Sequence, residues 1–277
     1  MGVPYAEVIG DPVAHSKSPL IHKFWLGRLG LRYDYRPTRV TAEYLRLYLD
    51  ERRSDPDWLG CNVTMPLKRA IVPLLDRSFP EVKATGAVNT VLKMDAAEIE
   101  WPHPGLAGNN TDLRGFAEPF LGQYSERGLA AIVGAGGAAR AVFVALAGLG
   151  FEIVHVANRT SLNAEAMLRQ LGQRPDLAHA LEDPIPAVDL LVNASAIGGG
   201  GAQHDFDLSA LAPTAIVYDI VYAPPETPLL AAARARGLRT IDGFQMLIGQ
   251  AAASFVHFFD GEPPRELDHE LRELLTQ

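Results

Sequence analysis

The chain has 277 residues, 48% hydrophobic and 21% charged, which is enough for two domains of roughly 100–200 residues with buried cores. A net charge of −8 argues against a general nucleic-acid surface, which favours a basic balance, and no apolar run approaches the roughly 20 residues that cross a bilayer. The single cysteine, Cys61, excludes an intrachain disulfide and a cysteine-based metal site, and the eight histidines have no metal-ligand spacing, so no metal is expected. The first ten residues lack a basic region followed by an apolar one, so no signal peptide is expected and the cytoplasm is the expected location. An acidic chain that binds an anion must do so with locally placed donors.

In chain order, Val3–Ile9 reads as a strand and Gly10–Ser18 as a turn-rich loop. From Pro19 a helix is predicted, with Leu20, Ile21, Phe24, Trp25 and Leu29 on one apolar stripe and Gly30 as its stop. A strand near Arg32–Pro37, a helix near Ala42–Arg53, a short strand at Leu59–Val63 and a helix over Leu67–Leu75 follow. This βαβα order favours a mostly parallel sheet. Pro102, Pro104, Gly105 and Gly108 mark a loop, and Leu113–Tyr124 a connecting helix. Leu129–Val133 is a compact strand, followed by a helix through Arg140–Leu149 that ends at Gly150. Ile153–Ala157, Leu190–Asn193 and Ile216–Ile220 read as further strands, Gly198–Gly201 as a loop and Gly243–Phe259 as a largely apolar helix.

The run Gly134-Ala135-Gly136-Gly137-Ala138-Ala139 follows a strand and opens a helix. Gly134 permits a tight turn, Gly136 lets backbone approach a pyrophosphate, Ala139 allows close helix–strand packing, and the helix N-terminus supplies N–H donors. About 20 residues on, where an NAD site carries an acidic residue for the ribose hydroxyl, the chain has Asn158-Arg159-Thr160. Arginine offers a planar fork to a 2′-phosphate, so NADP is the expected cofactor. The competing reading is a glycine-rich turn and a polar strand end of no special function.

Other polar groups have two readings each. Ser18 suits a helix N-cap and Pro19 the first helical position, yet Ser16, Ser18 and the free helix N–H groups also suit a carboxylate. Lys68, placed in a predicted first helical turn, does not help the helix dipole; it is a solvated lysine or a functional one. Asn89-Thr90 and Asn110-Thr111-Asp112 are turn-formers or site residues. Gln250 is polar within an apolar helix. Tyr218–Tyr222 ends a strand, where open α/β sheets place ligand contacts.

Taken in order, these segments resemble the shikimate dehydrogenase family over nearly the whole chain. The resemblance is carried by Gly10 through Pro19, Asn62 through Lys68, Gly86 through Thr90, Asn110-Thr111-Asp112, the Gly134 loop, Asn158-Arg159-Thr160, Asp219 through Tyr222 and Gly243 through Gln250. It implies an α/β protein with an N-terminal substrate domain over 1–112 and 245–277, containing a mostly parallel sheet, and a Rossmann-type NADP-binding domain over 113–244. It implies that Ser16 and Ser18 bind the substrate carboxylate, that Thr64, Asn89, Asp112 and Gln250 hold the ring and its hydroxyls, and that Tyr222 lies near the substrate. Lys68 and Asp112 would be the catalytic pair. Gly134, Ala135, Gly136, Gly137, Ala138, Asn158, Arg159, Thr160, Ala194, Ile220 and Gly243 would line the cofactor site.

One stretch departs from the family pattern. Where the family often has Asn-Ala-Thr-Pro followed two residues later by Gly-Met, this chain has Asn193-Ala194-Ser195-Ala196-Ile197-Gly198-Gly199. Losing the proline frees a φ angle, and glycine removes a bulky side chain near the expected nicotinamide. The expected reaction is reversible, NADPH-dependent reduction of 3-dehydroshikimate to shikimate, with protonated Lys68 stabilising the developing oxyanion and Asp112 positioning it. The expected partner is a small-molecule substrate, with no nucleic acid or membrane, in a monomer or homodimer. Alternatives are a quinate or quinate/shikimate dehydrogenase, a folate-linked dehydrogenase of similar plan, and a catalytically silent NADP-responsive regulator.

Overall fold

A computed structural model describes residues 2–94, 105–122, 128–200 and 204–277. The chain forms two compact units, Met1–Thr111 with Gln250–Gln277, and Asp112–Gly249. No helix among the described residues is long and apolar enough to cross a membrane.

Unit 1 begins with β1 (Tyr5–Gly10), α1 (Ser18–Leu29), β2 (Asp34–Arg39), α2 (Leu45–Ser54) and β3 (Trp58–Val63). It continues through β4 (Arg77–Ser78), α3 (Pro80–Thr85), β5 (Thr90–Met94) and β6 (Gly105–Asn109). The described strands pair in the order β2-β1-β3-β5-β6-β4. The helical crossovers make β1–β2 and β1–β3 parallel, as the βαβα order requires, and β4–β6 is parallel too; β5 runs antiparallel to both β3 and β6. Strand β6 replaces the expected loop at Gly105 and Gly108. A Cβ at Gly108 would stand 2.5 Å from Leu75 Cδ1 and 2.9 Å from Val88 Cγ2, so this glycine marks close packing inside a strand, not a turn.

The expected helix over Leu67–Leu75 is instead a series of turns followed by a 3₁₀ turn at Val72–Leu74. Ile71 N–H does reach Leu67 O at 3.1 Å, but Pro73 has no N–H with which to continue the ladder. Lys68 therefore lies on a turn, not on the first turn of a helix. Helix α1 also differs in detail. Lys17, not Ser18, is its N-cap residue, and Ser18 N–H donates to Ser16 Oγ at 3.3 Å. Its buried face is Ser18, Ile21, His22, Trp25 and Leu26, while Leu29 is 40% exposed. His22 takes an apolar position as a neutral ring: it stacks on Tyr35 with centroids 4.0 Å apart, and burial pushes its pKa down to about 3.

The core of unit 1 gathers Ile9, Leu45, Tyr48, Trp58, Val91 and Leu106, and one of its members, Tyr48, bonds a buried carboxylate. Glu7, 1% exposed, accepts from Thr38 Oγ1 and Tyr48 Oη at 2.6 Å each and from Arg52 Nε at 2.8 Å. Burial alone would raise its pKa; the bonds from Arg52, Thr38 and Tyr48, with the Arg52 charge, hold it below the ordinary glutamate value. The unfolded chain then binds this proton more readily, so the contribution is present above the ordinary glutamate pKa and is lost as pH falls through the folded one. Glu7→Gln is expected to cost about 3 kcal/mol at neutral pH, with the loss shrinking in acid, as read by urea denaturation at several pH values.

Unit 2 contains α4 (Asp112–Ala117), β7 (Leu129–Val133), α5 (Gly137–Leu149), β8 (Glu152–Asn158), α6 (Ser161–Gln170), β9 (Ala178–Ala180) and β10 (Leu190–Asn193). Strand β11 (Ile216–Asp219), α7 (Pro228–Ala235), β12 (Arg239–Ile241) and α8 (Gly243–Phe259) follow. The order among described strands is β12-β11-β10-β7-β8-β9, parallel at every pairing. Such a sheet is covered on both faces, and its strands are accordingly near-continuous apolar runs such as Ala130 to Val133, all 1% exposed or less. The expected helix Leu113–Tyr124 is shorter. It gives way at Glu118-Pro119-Phe120 to a 3₁₀ turn, since Pro119 cannot donate, and its last two residues lie outside the described ones. Gly201 likewise lies outside them, and Gly198 and Gly200 take positive φ in the turn expected there. Helix α8 runs from unit 2 into unit 1, and α9 (Asp268–Thr276) closes the chain with an Arg28–Glu270 ion pair to α1.

Candidate active site

In unit 1 the carboxyl ends of β1, β3 and β6 and the amino end of β5 lie along one sheet edge, because only β5 is reversed. From β1 the chain passes to β2 on one side and then to β3 on the other, so the β1–β3 boundary is the switch point at which open α/β sheets bind ligands. The loops leaving it are fastened together. Thr64 N–H donates to Ile9 O at 2.9 Å and Asp11 N–H to Met65 O at 3.1 Å. A Cβ on Gly10 would stand 2.4 Å from Thr64 Cγ2, so glycine is needed there. Ser16 and Ser18 follow β1, while Thr64 and Lys68 follow β3; Ser16, Thr64 and Lys68 are half-buried and Ser18 is buried. The Lys68 carbonyl accepts from Val88 N–H at 2.8 Å, which ties the lysine turn to the segment leading into β5.

Asn89, 2% exposed, is the hub of this edge and not a solvated turn residue. Its Nδ2 donates to Thr111 Oγ1 at 2.9 Å and Gln250 Oε1 at 3.3 Å, while its Oδ1 accepts from Thr111 N at 2.7 Å and Thr90 Oγ1 at 2.9 Å. Gln250, polar within an apolar helix, is thereby drawn to the same cluster. Asn62 supports it from β3, donating to Asn89 O and Thr90 Oγ1 and accepting from Tyr35 Oη. Asn62, Thr90 and Thr111 act as supports here; their sequence signal was their place inside polar runs, which could not separate support from contact. Asp112, buried, is the first residue of α4 and so opens unit 2.

In unit 2 the sheet order reverses between β7 and β10. Gly134, just past β7, has φ +118°, and a Cβ on it would meet Ala194 O at 2.6 Å. Gly136 is the extended N-cap residue of α5, and a Cβ there meets nothing within 4 Å, which leaves room for a ligand against the backbone. Gly137 and Ala138 form the first helical residues beyond the half-buried Ala135; no side chain caps the helix and its first turn has no acidic residue, so its N–H groups suit a phosphate. At the end of β8, Asn158 Nδ2 donates to Thr160 O at 2.9 Å, fixing the turn that exposes Arg159 and Thr160. Arg159 has no ion pair among the described residues.

The remaining predicted positions stand at the same edge. Ala194 follows the end of β10 and packs its carbonyl against Gly134; a Cβ on Gly243 would stand 2.5 Å from both Ile220 O and Val221 O. Tyr222 is half-buried, with its ring 6.1 Å from that of Phe244. The unusual stretch after β10 is held by side chains in place of a proline. Asn193 Oδ1 accepts from Ser195 N and Oγ, and its Nδ2 donates to Ile197 O at 2.9 Å. A Cβ on Gly199 would stand 3.3 Å from Val221 Cγ1, so a larger residue would press on Val221.

Comparison with known proteins bears on both units. The pattern of the shikimate dehydrogenase substrate binding domain matches residues 8–91. The NADP(+) shikimate dehydrogenase of Sphingopyxis alaskensis is 50% identical over 274 residues, 99% of this chain and 97% of that protein. The crystal structure of the Thermus thermophilus shikimate 5-dehydrogenase with NADP(H) and shikimate superposes with a TM-score of 0.83 at 34% identity, covering 98% of this chain and 99% of that one. The Corynebacterium glutamicum quinate dehydrogenase with NAD superposes at 0.82 and 31% identity, covering 98% and 99%.

Proposed function

This chain belongs to the shikimate dehydrogenase family, and we propose that it catalyses the reversible NADPH-dependent reduction of 3-dehydroshikimate to shikimate through the residues of its two sheet edges. The observation that carries the reading is that each switch-point edge holds a different donor set: serine and threonine hydroxyls, an amide hub and a lysine in unit 1, and a glycine loop, an uncapped helix start and an arginine in unit 2. The unit 2 edge fits a dinucleotide phosphate, because Gly136 faces open space and Arg159 is exposed where a 2′-phosphate needs a cation. Bound there, NADPH supplies the hydride.

The chain's own groups do the rest. Ser16 and Ser18 take the substrate carboxylate, and Thr64, Asn89, Gln250 and Tyr222 orient the ring. Lys68 holds a proton at Nζ and gives it to the oxygen on which negative charge grows; Asp112 positions that ammonium and a substrate hydroxyl. Gly134 through Ala138, Asn158 through Thr160, Ala194, Ile220 and Gly243 shape the cofactor edge. A buried single thiol, Cys61, suits the reducing cytoplasm.

Two substitutions separate these roles. Ser16→Ala is expected to raise KM for shikimate about tenfold while changing kcat little, since a bond to a charged ligand contributes about 1.5–3 kcal/mol in ground and transition states alike. Arg159→Ala is expected to raise KM for NADP⁺ about 30-fold and leave the weak reaction with NAD⁺ unchanged. The experiment that tests the function is a steady-state comparison of shikimate and quinate, each with NADP⁺ and NAD⁺. Shikimate with NADP⁺ should give the largest kcat/KM; a preference for quinate would move the chain to the sister activity, and no turnover with any pair would refute the enzyme reading.

A further inference from the structure

We infer that Asp219, a carboxylate given no contact with either reactant above, is the positioning residue that sets the shape of the cofactor edge. It is 0% exposed at the end of β11. Three segments aim donors at it: Asn193 Nδ2 at 2.9 Å, Val221 N–H at 3.0 Å and Thr227 Oγ1 at 2.6 Å. Thr227 Oγ1 also accepts from Leu230 N at 3.3 Å, so its own proton points at the carboxylate. An amide nitrogen, a backbone N–H and a committed hydroxyl can only donate here, so the pocket is built for an acceptor-only group. Burial raises the Asp219 pKa, and these three bonds oppose that shift.

The bonds lead to the cofactor contacts. Through Asn193, Asp219 fixes Ser195 and Ile197, and hence the Ala194 carbonyl that packs on Gly134. Through Val221 N–H it fixes the Ile220 and Val221 carbonyls against which Gly243 is packed. One side chain therefore governs Ala194, Ile220 and Gly243, all within unit 2. A structural anchor alone would need no such convergence on the two loops beside the glycine turn. The inference rests on the reading that this edge binds NADP(H).

Asp219→Asn keeps the shape but turns an NH₂ toward a donor. The test measures Kd for NADP⁺ by calorimetry, KM for shikimate at saturating NADP⁺, and thermal melting. Kd is expected to rise at least about tenfold, the loss of one buried charge-assisted bond, while KM for shikimate stays within about twofold. A merely structural role would lower the folded fraction and leave Kd of the folded protein unchanged, which would overturn the inference. If Asp219→Asn does not fold, Asn193→Ala decides: it removes the link to Ser195 and Ile197, so a similar rise in Kd supports the inference and an unchanged Kd overturns it. The unsubstituted protein separates the two readings. Failure of that protein to bind NADP⁺ sinks the cofactor assignment itself, whereas tight binding by it and by both variants sinks only the role of Asp219.

Discussion

Lys68→Ala is expected to lower kcat by roughly 10²–10⁴-fold, about 3–5 kcal/mol of barrier, while KM for shikimate changes little. Hydride arrival converts a neutral carbonyl to an alkoxide, so the group that meets this charge matters in the transition state far more than in the bound ground state. That asymmetry places the loss in kcat. Methionine at the same position preserves length without charge and should be nearly as slow, which separates the ammonium from its packing. Asp112→Asn should also lower kcat, and the double variant should be little slower than Lys68→Ala alone, because the carboxylate acts through the lysine. Near-normal turnover by Lys68→Ala would remove the proposed acid.

Gly134→Ala is expected to weaken NADP⁺ binding by at least about 100-fold and to lower thermal stability, the positive φ alone costing about 1–3 kcal/mol. At φ +118° an L side chain is strained, and its Cβ would lie 2.6 Å from the Ala194 carbonyl oxygen, which must give way. That carbonyl stands in a loop fixed by Asn193, so the shift spreads to the cofactor edge. Gly136→Ala is the informative contrast. Its Cβ would meet no protein atom within 4 Å beyond its chain neighbours, so melting should fall far less than in Gly134→Ala, by no more than the loss of a glycine N-cap. NADP⁺ affinity should still fall, because the methyl occupies space the phosphates approach. Equal affinity in Gly136→Ala and the unsubstituted protein would contradict the placement of the pyrophosphate.

How much of this was legible beforehand differs between the two units. Unit 2 announced itself because parallel strands buried on both faces give near-continuous apolar runs: β7, β10 and β11 stand on such runs, and β8 on one broken only by His155. Short edge elements carried no such signal: β9 has three residues, and β12 likewise has three, with Arg239 exposed at its start. In unit 1 the reading of Gly105 and Gly108 as a loop failed because glycine can signal close packing as well as a turn, and Leu75 and Val88 supply that packing only in three dimensions. Pro73 was the local cue against a helix over Leu67–Leu75, outweighed by apolar spacing. His22 carries no apolar signal in the sequence, yet stacking on Tyr35 makes it part of the core.

For the proposed site, spacing points to the motif glycines and Arg159, since each answers a local demand of backbone or phosphate. Asn89 could be named but not understood, because its partners Thr111 and Gln250 lie 22 and 161 positions away. Asp219 stands in a motif, but no local signal marks it as a hydrogen-bond acceptor for distant segments. Two of its three donors arrive from Asn193 and Thr227, and only the register of β10 with β11 brings the first of them within reach.

The most direct measurement of the reaction itself follows the label. The purified chain is incubated with 3-dehydroshikimate and NADPH carrying deuterium at the transferable C4 position, and the product is analysed by mass spectrometry and NMR. One deuterium is expected on the carbon that was the ketone, in shikimate and in no other product. Shikimate without the label, or oxidation of the cofactor with no labelled acid formed, would contradict the proposed hydride transfer.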